Sequence, residues 1–388
     1  MSTQASTLYP PGGYGAPKNR RGHAQGDVGL PAGTEVFSAD NHISVAEDIF
    51  YEKFPDDLKE KAPRIWYEDG AYMVGRKQGQ TFLPGDFSRV LMQYDDLAGA
   101  ATNNIEARIQ ELQEDGVDRE LAFPNAVLAL FHYPDKELRE RVFRIYNEYM
   151  AELQERSNGH FYAAGLINWW DPKGTRRTLT ELKSLGLKTF LMPINPGKDD
   201  DDNVIDYGST AMNAVWDEIE QAGLPVAHHI GETPPKTPCE FNSVVVGMMI
   251  NIDGFREVFS KYIFSGILDR HPKLRIGWFE GGIAWVPWAL QDAEHLLASY
   301  QHMFNHQLEH DIQYYWDNHM SASFMVDPLG LELIDRIGVD RVMWSSDYPH
   351  NESTFGYSEK SLASVVEAVG PENAAKIVSG NIKNFLGV

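Results

Sequence analysis

The chain has 388 residues, long for one domain, yet a single (β/α)8 barrel of about 250 residues with insertions accommodates it. Apolar residues make up 43% and charged residues 23% of the sequence, which suits a large packed core and excludes global disorder. A net charge of -22, with 34 Lys and Arg scattered along the chain, argues against nucleic acid and anionic membrane surfaces as partners.

No apolar run approaches the roughly 18 residues of a membrane-spanning helix, and no apolar stretch near the start reads as a signal peptide. The single cysteine, Cys239, excludes an intrachain disulfide and a Cys-rich zinc cluster, and it fits a cytoplasmic location. Any bound metal then has to be held by His, Asp or Glu.

Residues 1–33 are crowded with Gly and Pro and read as an extended arm, with Tyr9 and Tyr14 able to pack on a neighbouring subunit or to remain in a tail. From residue 34 to 388 short β-branched or aromatic runs alternate with helical stretches. EVFSAD (35–40), RELAFP (119–124), FYAAGLI (161–167) and KTFLMPI (188–194) are the first four expected strands. PVAHHI (225–230), LRIGWFE (274–280), MSASFMV (320–326) and RVMWSSD (341–347) are the other four. Residues 137–156 and 211–223 are expected helices, the second ending at a glycine suited to a helix C-cap.

A doubly wound open sheet gives a similar local pattern, but eight strands in this alternation point to an α/β fold of the (β/α)8 TIM-barrel type. Two insertions, 45–115 and 232–254, are expected over the barrel mouth. The first contains a hairpin at 64–82 around Asp69-Gly70, followed by a helical stretch at 86–115. The second begins Pro-rich and turns apolar. The acidic run 199–202 lacks calcium-loop spacing and reads as a solvated loop.

The acids and histidines fall at strand ends. Asp40-Asn41-His42 closes strand one, His228-His229 strand five, Glu280 strand six and Asp347 strand eight. In a barrel these ends converge on one mouth, and Asp and His two residues apart on a strand project the same way. Each residue alone would pass for a turn or cap; together they have the composition of a site for one divalent ion, zinc first, with manganese or cobalt as alternatives. Adjacent strand residues point oppositely, so only one of His228 and His229 can face the mouth.

Trp285 and Trp288 follow helical spacing and read as core or interface. Trp278, Phe279 and Tyr348 are expected to line an apolar pocket for an aromatic or heterocyclic substrate. His350, three residues past Asp347, is a candidate for bonding substrate. Strand four ends in Met192-Pro193, and Lys188 lies at its wrong end to bridge a second ion. No phosphate loop, dinucleotide fingerprint or nucleophile elbow is present.

The sequence resembles the amidohydrolase-related branch of the amidohydrolase superfamily, which includes aminocarboxymuconate semialdehyde decarboxylase and resorcylate decarboxylases. The resemblance runs from about residue 35 to the end. It rests on Asp40-x-His42, His229-Ile-Gly after PVAH, GILDRHPKLRI, DRVMWSSDYP around Asp347 and the closing KIVSGNIKNFLGV. It implies a metal held by Asp40, His42, His229 and Asp347, with His229 chosen over His228 because it occupies the family's place before the Gly-containing turn.

The chain departs from the family at strand six, where a catalytic His is replaced by Glu280. A carboxylate there must have a raised pKa to act as an acid, and it adds negative charge beside Asp40 and Asp347. The reading from sequence is therefore a hydrolase acting on an amide, ester, lactone or related carbonyl bond, with Asp347, Glu280 and His350 in the chemistry. A metal-dependent decarboxylase of a hydroxybenzoate-like acid is the alternative. Glu280 is read either as an acid/base group or as a partner that orients a ligating His. A small molecule is the expected substrate and a homodimer or homotetramer the expected assembly.

Overall fold

The computed structural model describes residues 27–46, 48–68, 71–77, 80–81, 104–133, 135–232, 243–350 and 352–388. Eight parallel strands run in the order of the chain. They are β1 (Phe37–Ile43), β5 (Arg119–Pro124), β6 (Phe161–Leu166), β7 (Thr189–Leu191), β8 (Val226–His229), β9 (Ile276–Phe279), β10 (Met320–Phe324) and β11 (Val342–Trp344). Each neighbour is the next strand in sequence, as right-handed βαβ crossovers require. All eight expected strands are present.

Backbone hydrogen bonds join the two ends of the sheet. The N–H of Asp347 donates to the carbonyl of Asp40 at 2.8 Å, and that of His42 to the carbonyl of Tyr348 at 2.7 Å. The first strand and the segment after the last are thus neighbours, so Asp40, His42 and Asp347 share one stretch of the rim. Pairing of β1 with β5 slips between Ser38 and Asn41; such irregularities re-aim side chains at barrel rims.

Helices cover the outside of the sheet. Lys136–Arg156 starts where the Asp135 carboxylate accepts from the N–H of Leu138, and it is tied to β6 by Asn147, whose amide donates to the carbonyl of Leu166 at 2.8 Å. Asn213–Ala222 ends at Gly223, whose φ of 71° is a left-handed conformation that a glycine adopts without strain.

A separate antiparallel sheet joins β2 (Arg64–Glu68), β3 (Ala71–Lys77) and β4 (Gln80–Thr81). This is the expected hairpin; its Asp69-Gly70 turn lies outside the described residues. So do most of the arm with Tyr9 and Tyr14, residues 86–103 of the expected helical stretch, and the Pro-rich 233–242 with Cys239. The described remainder of that stretch contains the helix Ile105–Glu114.

The described part of the second expected insertion is helical. Residues 243–254 are the first half of a helix, Ser243–Phe264, that lies between β8 and β9. Of its apolar run, Val246, Met248, Met249 and Ile250 remain exposed. No helix among the described residues is long and apolar enough to cross a membrane.

Candidate metal centre at the barrel mouth

Alternation along β8 and β9 sorts the side chains. The register pairs His229 with Phe279 and His228 with Trp278, so each pair lies on opposite faces of the sheet. His228 faces outward. Its Nδ1 meets the carbonyl of Met192 and its Nε2 the hydroxyl of Tyr262, both at 2.9 Å, and burial pulls its pKa down to about 3. It is a neutral histidine with both nitrogens engaged, which leaves none for a metal.

His229 faces inward and meets residues from three other strand ends. Its Nε2 lies 3.3 Å from Asp40 Oδ1 and 3.1 Å from Glu280 Oε2. His42 Nε2 lies 3.2 Å from the same Glu280 oxygen, 3.4 Å from Asp347 Oδ1 and 3.7 Å from Asp40 Oδ1. His350 Nδ1 sits 3.1 Å from Asp347 Oδ1, and its ring stacks on that of His42 with centroids 3.8 Å apart. Asp40, His42, His229, Asp347, Glu280 and His350 therefore form one cluster, gathered from β1 and the ends of β8, β9 and β11.

The backbone departs from ordinary geometry where two of these side chains enter. Glu280 has φ 67° and Asp347 φ 59°, left-handed values uncommon for residues with a side chain. Each has its N–H engaged, by the hydroxyl of Ser323 at 3.1 Å for Glu280 and by the Asp40 carbonyl for Asp347. Strain of this kind gathers at functional sites.

The electrostatics are those of charges crowded out of water. Burial, and then the charge on Asp347, push the Glu280 carboxyl well above the usual range. For His229 burial pulls downward, but Asp40 and Glu280 outweigh it and hold the imidazole at about 9. His350 is likewise pulled down by burial and held at about 9 chiefly by Asp347. His42 goes the other way: burial, with His350 and His229 beside it, drives it well below its ordinary value.

Asp40 Oδ2 and both carboxylate oxygens of Asp347 are buried without a well-formed hydrogen bond. Buried carboxylate oxygens left in this state cost several kcal/mol unless a cation meets them. The donor set, carboxylate oxygen and imidazole nitrogen, is the one that divalent first-row metals bind. Two overlapping groups, His42, Glu280, Asp347 and His350, and Asp40, His42 and His229, each place their donor atoms within 4.8 Å of one another. The residues fit a metal ion.

Of the three aromatic residues expected to line a pocket, two are placed away from the mouth. Trp278 is fully buried on the outer side of the sheet, 5.2 Å from the ring of His228 and 5.8 Å from that of Trp285. Tyr348 turns away from the mouth: its hydroxyl donates to Glu111 at 2.7 Å, and the guanidinium of Arg108 stacks on its ring. Neither reaches the cluster, because Trp278 shares the outward face of His228 and Tyr348 follows a left-handed residue that redirects the chain. Phe279 packs 4.8 Å from Phe123, one contact removed. Of the Trp285/Trp288 pair, Trp285 is buried and Trp288 is half exposed beneath Arg256.

Sequence reasoning missed two features. Phe123 pairs with His42 in the β1–β5 register, and its ring lies 4.8 Å from that of His229, an apolar wall against both imidazoles. Its place next to the end of a strand was the available signal. The second is a brace behind β1. Asn41 donates to Glu120 at 2.7 Å and accepts the N–H of Tyr348 at 2.9 Å, while Arg108 grips Glu120 through two bonds of 2.7 Å. That brace fixes Asp40 and His42 on either side of Asn41.

Comparison with known proteins agrees with this fold. The gamma-resorcylate decarboxylase of Rhizobium sp. (strain MTP-10005) is 21% identical over 315 residues, covering 76% of this chain and 91% of that protein. A crystal structure of an amidohydrolase from Mycobacterium avium subsp. paratuberculosis K-10 matches with a TM-score of 0.72 at 20% identity, covering 92% of this chain and all of that one. The 5-carboxyvanillate decarboxylase of Novosphingobium aromaticivorans, solved with manganese and 4-hydroxy-3-methoxy-5-nitrobenzoic acid, matches with a TM-score of 0.66 at 13% identity, covering 93% and 99%. At these identities the solved structures speak for the fold alone. The amidohydrolase family model matches residues 38–388, the barrel with its cluster of acids and histidines, and the chain belongs to that family.

Proposed function

We propose that this protein is a metal-dependent, non-oxidative decarboxylase of a small aromatic acid of the hydroxybenzoate type. The observation that carries the reading is the buried cluster with its carboxylate oxygens that lack well-formed hydrogen bonds, on a chain similar over 76% of its length to a gamma-resorcylate decarboxylase. Asp40, His42, His229 and Asp347 are the proposed metal ligands. Manganese is proposed in place of the expected zinc, because carboxylate-rich sets suit it and the 5-carboxyvanillate decarboxylase was solved with manganese. A bound divalent ion would supply positive charge to set against the oxygens of an acidic substrate.

In such a reaction the bond between ring carbon and carboxyl carbon breaks, the electron pair stays on the ring, a proton takes the vacated position and carbon dioxide leaves. The protein has to deliver that proton at the mouth. His350 is placed to do so: Asp347 engages its Nδ1, and its Nε2 has no hydrogen-bond partner among the described residues. Phe123 would keep water from the two imidazoles it touches. Glu280, at the position where the resembling decarboxylases carry a His, would adjust charge beside the reacting carbon.

Hydrolysis, the reading that the sequence alone favours, gains no support from the gamma-resorcylate and carboxyvanillate decarboxylases. It remains a second reading on one observation: Glu280, 10% exposed, contacts both ligating imidazoles and is shaped to take a proton from water. The test is to load the purified protein with Mn2+, offer it 2,6-dihydroxybenzoate, 5-carboxyvanillate and related hydroxybenzoates, and measure carbon dioxide release before and after chelation. Aryl esters and lactones run in parallel. Metal-dependent release from at least one acid is expected; release from none, with ester or lactone cleavage instead, would transfer the assignment to hydrolysis.

A further inference from the structure

We infer that Glu280 is itself a ligand of the metal, a fifth protein donor added to Asp40, His42, His229 and Asp347. This deepens the proposed function, resting on its placement of the ion, and it assigns Glu280 a role apart from acid or base.

Three observations support it. The first is spacing. Two donors at right angles on an ion about 2.1 Å away lie about 3 Å from each other. Glu280 Oε2 lies 3.2 Å from His42 Nε2 and 3.1 Å from His229 Nε2. Those separations match the ones that Asp40 Oδ1 and Asp347 Oδ1 make with the same nitrogens, 3.3 Å to His229 and 3.4 Å to His42. Glu280 therefore stands among the donors at donor spacing, with no gap for a water between it and either imidazole. A group acting on substrate from outside the shell would sit farther from the imidazole nitrogens than the carboxylates do.

The second is the backbone. Glu280 is held at φ 67°, and the two glycines that follow leave no room for larger residues. A side-chain carbon on Gly281 would come within 2.6 Å of Phe255, and Gly282 adopts φ 66°. This turn directs the Glu280 carboxylate into the cluster, and Ser323 holds the Glu280 N–H. Asp347, a proposed ligand, is the other cluster residue in this conformation.

The third is the contrast with His350. Its Nδ1 lies 3.1 Å from Asp347 Oδ1 but 3.9 Å from Glu280 Oε2. His350 thus reaches one carboxylate of the cluster at donor spacing, whereas Glu280 reaches both imidazoles. With Glu280 included the ligand set has three carboxylates and two imidazoles, an oxygen-rich set of the kind that suits Mn2+.

The experiment measures binding. Metal-free wild type, Glu280→Gln, Glu280→Ala and His350→Asn are titrated with Mn2+ by calorimetry, and the visible spectrum of the Co2+-loaded form reports the number of donors. Circular dichroism checks that each variant is folded. Glu280→Gln and Glu280→Ala are expected to weaken Mn2+ binding by more than about 100-fold and to change the Co2+ spectrum. His350→Asn should weaken it by about 10-fold with the spectrum retained, as an outer partner does.

Glu280→Gln binding within about threefold of wild type, with an unchanged Co2+ spectrum, would overturn the inference. So would a loss of affinity unaccompanied by spectral change, which would assign Glu280 to the outer set. Neither result bears on whether carbon dioxide is released. Conversely, a wild type that binds Mn2+ through Glu280 but releases no carbon dioxide would remove the proposed reaction and leave the ligand assignment standing.

Discussion

Two buried clusters of charge flank the first barrel strand, and they are built on opposite terms. Behind β1, Arg108 and Glu120 form a paired fork of two 2.7 Å bonds, and Asn41 takes up a further carboxylate lone pair. In front of β1, Asp40, Glu280 and Asp347 crowd together with only imidazoles between them, and three of their oxygens lack a well-formed bond. The two sites share a strand, a depth and a residue type. One pairs its opposite charges within the protein, with Arg108 Nη1 the one atom of the pair left over; the other is a set of donors that a cation would complete. The difference teaches that burial of charge alone does not mark function. What marks it is burial without internal compensation, maintained by a framework stiff enough to prevent relaxation.

That contrast is testable from both sides. The largest expected effect is at the mouth: Asp347→Asn should weaken Mn2+ binding by more than about 100-fold and reduce metal-dependent turnover in step. Metal-free Asp347→Asn should lose less stability to urea than Arg108→Met, since it relieves the crowding of three carboxylates while its amide can still meet His350. Next, Arg108→Met should destabilise the fold by about 3–5 kcal/mol in urea titrations, because Glu120 is left buried and unpaired. Equal stability loss in both variants would erase the distinction between the clusters.

A third prediction concerns Asp115, buried where it accepts the N–H of Gly356 and the hydroxyl of Ser358. Burial outweighs those bonds and raises its carboxyl to about 7. Between its ordinary value and about pH 7 the folded protein holds this proton and the unfolded chain releases it, so stability from this group falls as pH rises through that window and then levels. Asp115→Asn should therefore gain on wild type from pH 4 to pH 8, by on the order of 1–4 kcal/mol. A constant difference in melting temperature across that range would contradict the assignment. The smallest effect is expected for Tyr348→Phe, which removes one bond to Glu111: about 1 kcal/mol of stability, with KM unchanged. A clear rise in KM would return Tyr348 to the substrate pocket.

The sequence carries much of this arrangement because barrel topology converts strand ends into neighbours. Asp40 and His42 lie in the middle and second half of β1, His229, Glu280 and Asp347 lie at or just past the ends of strands far along the chain, and the eight strands pair in order. Alternation separates His228 from His229. Carried one strand further, it separates Trp278 from Phe279 as well, because the two strands pair in register. Tyr348 is beyond that rule: it follows Asp347, whose left-handed φ breaks the alternation.

The brace of Asn41, Glu120 and Arg108 is not legible, because it joins residues whose relation depends on the slip between Ser38 and Asn41. The apolar run at 243–254 gives no helical period in the sequence, and only the structure shows that it opens the helix Ser243–Phe264. Metal choice depends on how many carboxylates share the ion, which requires knowing where Glu280 points.

The most direct test is diffraction from crystals of the Mn2+-soaked protein with anomalous data at the manganese edge. A single strong peak between His42 Nε2 and His229 Nε2, within bonding distance of Asp40, Glu280 and Asp347, is the expected result. A mouth without a peak at full Mn2+ loading, or a peak bound elsewhere on the chain, would contradict the assignment of this cluster as the metal centre.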